Sequence, residues 1–161
     1  MFESLWQHRE VSTAVLRPVN VIGPDLGNLM SRLLRLRRCP KLLGYDPLMQ
    51  FIHQQDLARA VVLAVRRPEK NGVFNVGGEG TVAWSRAIRI SGSRMWLVPR
   101  IFAEPATAIA DTFRHVFPRH LLPYFPYPTI VDDKLFRAEF GFEPQLTTVE
   151  TLQSVKQRGS K

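Results

Sequence analysis

Apolar residues along this chain fall into short runs and helical stripes separated by proline- and glycine-rich breaks. Residues 12–17 (Ser-Thr-Ala-Val-Leu-Arg) predict a short buried strand stopped by Pro18. Residues 18–27 carry two prolines and two glycines and predict a loop. Asn28 suits an N-cap for a helix through about Arg38, with Leu29, Met30, Leu33, Leu34 and Leu36 as its apolar side. Residues 40–47 predict another loop, and residues 48–53 (Leu-Met-Gln-Phe-Ile-His) a strand. Asp56 is expected to open an alanine- and valine-rich helix to about Arg67, ended by Pro68 and the turn Lys70-Asn71-Gly72. Val73-Phe74-Asn75-Val76 reads as a strand, closed by the turn Gly77-Gly78-Glu79-Gly80, whose spacing fits neither a dinucleotide nor a P-loop pattern.

Strand, helix, strand, helix, strand over 80 residues is the order of an α/β fold with a largely parallel sheet. Beyond it the pattern predicts a short helix near 83–89, an extended piece at 95–99 and a longer helix over 101–117. Pro123, Pro126 and Pro128 then break the chain. Asp132 is placed to cap a helix ending at Gly141, and Thr147-Thr148-Val149-Glu150 spells a capping box for a last helix. Residues 157–161 are expected to fray. The strand at 12–17 has no earlier strand to pair with, so part of a sheet is expected to be missing, with an exposed apolar edge and marginal stability.

Composition narrows the classes. At 161 residues and 45% hydrophobic, the chain holds one domain's worth of core rather than a disordered segment. No apolar run reaches the roughly 20 residues of a membrane span, and the start shows no signal peptide. Cys39 is the single cysteine, which gives neither a disulfide nor a metal cluster and fits a cytoplasmic location. The net charge of +8 is densest at Arg32, Arg35, Arg37, Arg38 and Lys41. That group is read either as a solvated helix face or as a lure for phosphate or acidic lipid. No zinc-finger spacing or aromatic RNA-binding signature occurs, so no nucleic-acid partner is expected. The arginines together with the aromatic stretch from Trp96 to Tyr127 leave peripheral membrane contact open.

Four segments carry a family resemblance. Leu16-Arg17-Pro18-Val19-Asn20-Val21-Ile22-Gly23-Pro24 resembles the Arg-Pro-x-Asn-Val-Tyr-Gly-Pro segment of extended short-chain dehydrogenases, with Ile22 at the usual tyrosine. Phe51-Ile52-His53-Gln54-Gln55-Asp56-Leu57-Ala58 is similar to their Phe-Ile-His-Val-x-Asp-Leu-Ala segment. Gly72 to Gly78 resembles their Phe-Asn-Val-Gly strand end, and Asp132 to Pro144 their Asp-x-x-Lys-x-x-x-x-Leu-Gly-Phe-x-Pro helix and turn. The order and spacing are the family's, and the chain resembles the C-terminal half of an NAD-dependent epimerase/dehydratase of the nucleotide-sugar type. The resemblance implies the end of a Rossmann-type parallel sheet with substrate-loop elements over 1–90, and a variable substrate lobe with C-terminal helices over 91–161.

The resemblance also implies roles. Pro18 falls where the family packs backbone against the nicotinamide of NAD or NADP. Asn20 falls where a side chain touches the substrate diphosphate, though a turn asparagine bonding its own backbone reads equally from the residues. Asn28 and Leu29 are similar to the Asn-Leu pair at a helix start against the nucleotide; an ordinary N-cap is the other reading. Arg119 is a candidate second-lobe contact. Met49 stands where UDP-sugar epimerases carry a clamping arginine, which puts UDP-sugars in doubt. The family's Gly-x-x-Gly-x-x-Gly turn and Tyr-x-x-x-Lys pair do not occur here, so no catalytic residue is assigned and the chain by itself is expected to be inactive. A small nucleotide-sugar-like substrate, with a Rossmann-domain partner or a second copy of the chain, is the expected company. His53 is read as a structural histidine. A non-catalytic binding module is the alternative, and a basic nucleic-acid or membrane-surface binder ranks below it.

Overall fold

The computed structural model describes residues 12–99 and 125–156. Eight strands and five helices occur among them. In chain order they are β1 (Ala14–Pro18), β2 (Asn20–Ile22), α1 (Leu29–Arg35), β3 (Arg38–Leu42), β4 (Leu48–Met49), β5 (Phe51–His53) and α2 (Gln54–Val65). β6 (Gly72–Val76), β7 (Val82–Ala83), α3 (Trp84–Ile90), β8 (Arg94–Val98), α4 (Lys134–Phe140) and α5 (Thr148–Ser154) follow. The strands pair as four two-stranded ladders. β1–β6, β2–β5 and β3–β8 run parallel and β4–β7 antiparallel, which bears out the α/β, largely parallel expectation.

Two elements differ from the sequence expectation. The segment expected as one loop over 18–27 contains β2, because Val21 and Ile22 find parallel partners in Ile52 and His53. Asn20 is therefore the first residue of a strand and not a loop residue. The helix expected to reach Arg38 ends at Arg35, and Arg38–Leu42 is a strand cutting into the expected 40–47 loop. Pro40 bars the helix from running on through it, since a proline disfavours helix at the residue before it and cannot donate within one, and Arg38–Leu42 instead pairs with Arg94–Val98. β3 tolerates it because among the described residues the strand has a single ladder neighbour, so a missing N–H on its other side breaks no described ladder. The Pro40 carbonyl accepts from Trp84 Nε1 at 3.1 Å.

Cap positions also move. α2 begins at Gln54, with His53 as N-cap accepting from Gln55 N at 3.3 Å, so Asp56 is a third-position residue and not the cap. At α4 the N-cap is Asp133, with Asp132 accepting from Lys134 N at 3.1 Å. Gly141 ends that helix at φ 65°, the left-handed region open to glycine at no steric cost. The Thr147–Glu150 capping box is formed as expected. The expected helix over 101–117, residues 1–8 and residues 157–161 lie outside the described residues.

Two apolar clusters hold the elements together. One gathers Ile22, Leu33, Leu34, Cys39, Met49, Phe51, Trp84, Ile88 and Leu152. The other joins Val19, Ile52, Ala60, Phe74 and Val76 to Phe136, Phe140 and Phe142. Both draw on residues before and after position 90. In the second, Phe136 stacks on Phe140 at 4.6 Å between centroids, and Phe140 meets Phe74 edge-on at 5.0 Å. Such pairs add about 1 kcal/mol each beyond area burial. They dock α4 beside β6.

Candidate functional site

β1 and β6 end together, Pro18 beside Val76. Open α/β sheets bind ligands in the crevice beyond such carboxyl ends. The chain leaves β1 through Val19, whose N–H donates to Val76 O at 3.0 Å, and turns directly into β2. That short step carries Pro18 exposed at its start and Asn20 half-buried at its end.

Asn20 Nδ2 donates to Gln50 O at 3.1 Å, which fixes the amide, and its Oδ1 accepts from no described residue. Asn28 closes the other end of β2. Its Nδ2 donates to Val21 O at 2.6 Å while its Oδ1 accepts from Ser31 N at 3.0 Å. The cap reading of Asn28 is thus met in full. Leu29 follows it half-buried at the first position of α1. Pro18, Asn20, Asn28 and Leu29 are therefore strung along both ends of one three-residue strand, while Arg119 lies outside the described residues.

Arg35 ties the loop between β2 and α1. Its Nη2 donates to Gly23 O at 2.6 Å and Pro24 O at 2.8 Å, and its Nε to Val155 O at 3.0 Å. Met49 is 1% exposed inside the first apolar cluster and presents nothing to a ligand.

The residue that organises this region is Gln50, which no sequence motif singles out. It is 6% exposed, and its Nε2 donates to Gly78 O at 2.9 Å while its Oε1 accepts from Val131 N at 3.0 Å. Its backbone N–H donates to Thr129 O at 3.0 Å. Gln50 thus joins the Gly77–Gly78 turn to the approach to α4 through its buried side-chain amide, and β2 through its backbone carbonyl. Its signal in the sequence is physical: a lone amide inside the apolar run of residues 48–53 must find partners when buried. Asp133 completes the arrangement, accepting from Gly77 N at 3.2 Å and from Arg137 Nε at 2.9 Å. The turn packs so tightly that a Cβ on Gly78 would meet Phe51 O at 1.9 Å.

His53 is 4% exposed. Its Nδ1 is engaged in the cap, and its buried Nε2 has no partner among the described residues. Desolvation holds its pKa below the ordinary value, with nearby Asp56 opposing. It caps the start of α2, and burial favours its neutral form. Among the described residues no group of His, Cys, Asp and Glu is placed to hold a metal ion. Around β2 the described residues thus place an anchored amide whose Oδ1 meets no described donor, an exposed proline and the half-buried Leu29.

A sequence model of the NAD dependent epimerase/dehydratase family matches residues 1–77. The match covers just under half of the chain. Uncharacterized proteins of Mycobacterium tuberculosis and Mycobacterium bovis are 32% identical over 143 residues, 88% of this chain. The chain spans 38% of the length of these curated relatives. Among solved structures, the fold is similar to the dTDP-glucose 4,6-dehydratase of Bacillus anthracis in complex with NAD (TM-score 0.69, 16% identity, 98% of this chain and 48% of that one). It is likewise similar to the UDP-glucose 4-epimerase of Stenotrophomonas maltophila with bound NAD (TM-score 0.67, 17% identity, 98% and 50%). These likenesses establish an epimerase/dehydratase fold of which the chain covers about half. No described helix is long and apolar enough to cross a membrane.

Proposed function

We propose that this chain is the substrate-binding portion of an NAD(P)-dependent sugar-nucleotide epimerase/dehydratase-like protein, acting together with a Rossmann partner that carries the cofactor and the proton chemistry. Residues up to about 90 finish the sheet and its substrate loop, and later residues supply the lobe and closing helices. The observation that carries the reading is the Pro18–Asn20 step. It stands at the carboxyl ends of β1 and β6, with the Asn20 amide pinned by Gln50 O so that its Oδ1 faces no described donor. A pinned amide recognises hydroxyl or N–H donors of a sugar or base, and its remaining Nδ2 hydrogen can serve a phosphate oxygen.

Asn28 positions rather than binds, since both ends of its amide are committed to Val21 and Ser31. Leu29 is assigned an apolar wall for the nucleotide, and Arg119 a cation for the diphosphate. With Met49 buried, the diphosphate has no arginine at that position, which favours a clamp elsewhere in the lobe.

The residues present fit only the edge of a dinucleotide site. Pro18 is exposed at the strand end, but the chain contains no Gly-x-x-Gly-x-x-Gly turn to cradle a pyrophosphate. No residue of this chain is therefore given a chemical step, and turnover falls to the partner.

Equilibrium dialysis of the chain against UDP- and dTDP-linked sugars tests this. Saturable retention that free glucose does not displace is expected. Retention of none of them would remove the proposal and leave a module without this ligand.

A further inference from the structure

α2 is apolar on the side that the core does not use. Between Leu57 and Val65 its only polar residue is Arg59. Leu57, Ala60, Leu63 and Ala64 face the second apolar cluster. Ala58, Val61, Val62 and Val65 stand opposite them, spaced i, i+3, i+4 and i+7, which places all four on one stripe of the helix. That stripe is bare: Ala58 is exposed, and Val61, Val62 and Val65 are 46%, 48% and 74% exposed. A helix that is apolar all round belongs in an interior, and a continuous exposed apolar stripe marks a contact surface. Valine is also a weaker helix former than alanine, so local structure gives no reason for three of them in water.

One flank of the stripe is charged. A groove of about 580 Å³ runs along it, between α2 and residues 141–145, and Arg59, Val62, Arg66 and Glu143 help to line it. Its two ends carry opposite charge. Glu143 stands toward the start of α2, where Arg59 Nη2 donates to Glu143 O at 3.3 Å. Arg66 lies about 10 Å further along the helix, at 1.5 Å per residue. Arg59 is committed to Asp56, whereas the Glu143 carboxylate and the Arg66 guanidinium have no ion pair or side-chain hydrogen bond among the described residues. An acid at one end of an apolar stripe and a base at the other make a surface complementary to itself turned end for end. A bilayer of one charge sign would repel one of those ends. A two-fold axis across the stripe closes the valines on each other and sets Arg66 of each copy against the partner's Glu143. We propose that α2 joins two copies of this chain, packed antiparallel about a two-fold axis across Val61, Val62 and Val65. The contact is small beside the roughly 1,600 Å² of a standard stable complex, so the association is weak. It uses none of the residues assigned to the substrate and does not rest on that reading.

Sedimentation velocity of the whole chain, from dilute to concentrated protein, tests it. A monomer that converts to a dimer as the concentration rises is expected. Val62→Lys, at an exposed position, should keep the circular dichroism of the unaltered chain and lose the dimer. Arg66→Glu and Glu143→Arg should each weaken the dimer about tenfold, since each turns two attractive contacts repulsive. The double variant Arg66→Glu/Glu143→Arg should restore it, which guards against a misfolded single variant. A chain that stays monomeric throughout would overturn the proposal and leave the stripe to a different protein. A dimer that Val62→Lys leaves intact would overturn it as well, and so would charge reversals that the double variant does not rescue.

Discussion

Asp56 is the residue whose removal reports most on how the chain's two ends are joined. It lies in the first turn of α2, 1% exposed. Its oxygens accept from Gln145 N at 3.2 Å and Leu146 N at 3.3 Å, and the Arg59 guanidinium closes on Oδ1. Replacing it with alanine strands two backbone donors. Bonds to a charged acceptor contribute about 1.5–3 kcal/mol each, and these are long, so the low end applies. Arg59 is about one-third exposed at its side chain, which screens the ion pair and reduces its share to a few tenths of a kcal/mol. The sum is about 3 kcal/mol for Asp56→Ala. Asp56→Asn keeps one neutral acceptor, and about half that loss is expected. Urea denaturation followed by circular dichroism gives the difference, with an unchanged m-value showing that stability alone has moved. Hydrogen exchange adds a local readout: the amides of Gln145 and Leu146 should lose protection before those of β1 and β6. An Asp56→Ala midpoint equal to that of the unaltered chain would refute the reasoning.

Further outcomes follow from single features. Gly78→Ala should destabilise by about 3 kcal/mol, since its Cβ would overlap a backbone carbonyl, whereas Gly27→Ala, with nothing within 4 Å, should be close to neutral in the same denaturation assay. His53 has a folded pKa held below its ordinary 6.5, so its neutral form belongs to the folded state. Its contribution is fully present above pH 6.5 and lost as pH falls from there through the folded value, so denaturation midpoints should drop on the acid side. His53→Gln should flatten that slope. Burial pushes the Cys39 thiol up to about 12, so a thiol reagent at neutral pH should label it only as fast as the chain opens. Labelling in native buffer at the rate of a free thiol would contradict its burial.

The fold class was legible because its signals are local and repeated. The alternation of β-branched runs with capped, alanine-rich stretches places β1, α2 and β6 within a few residues of where they lie. β2 was not legible: three residues between a proline and a glycine carry no periodicity, and only the pairing with Phe51–His53 makes them a strand. β3 was hidden by Pro40, whose missing donor costs little in a strand with a single ladder neighbour among the described residues. Asp56 reads as a cap by residue type, yet His53 takes that place and frees the carboxylate to hold residues 145 and 146, which lie 89 and 90 positions further along the chain. At the site, Asn20 and Asn28 were visible through the family's pattern, and the structure separates them into an amide whose Oδ1 meets no described donor and a committed cap. Gln50 was visible only as an amide out of place in an apolar run.

The most direct test of the substrate-site proposal is a calorimetric titration of a UDP- or dTDP-linked sugar into the chain and into Asn20→Ala. The expected result is saturable binding by the unaltered chain and a loss of about tenfold or more in the variant, the worth of one hydrogen bond to a charged or multiply bonded ligand, measured at a temperature where the variant, which loses its bond to Gln50 O and about 1 kcal/mol of stability, is still folded. Equal affinities, or no heat from either, would contradict the assignment of the Pro18–Asn20 step as a nucleotide-sugar site.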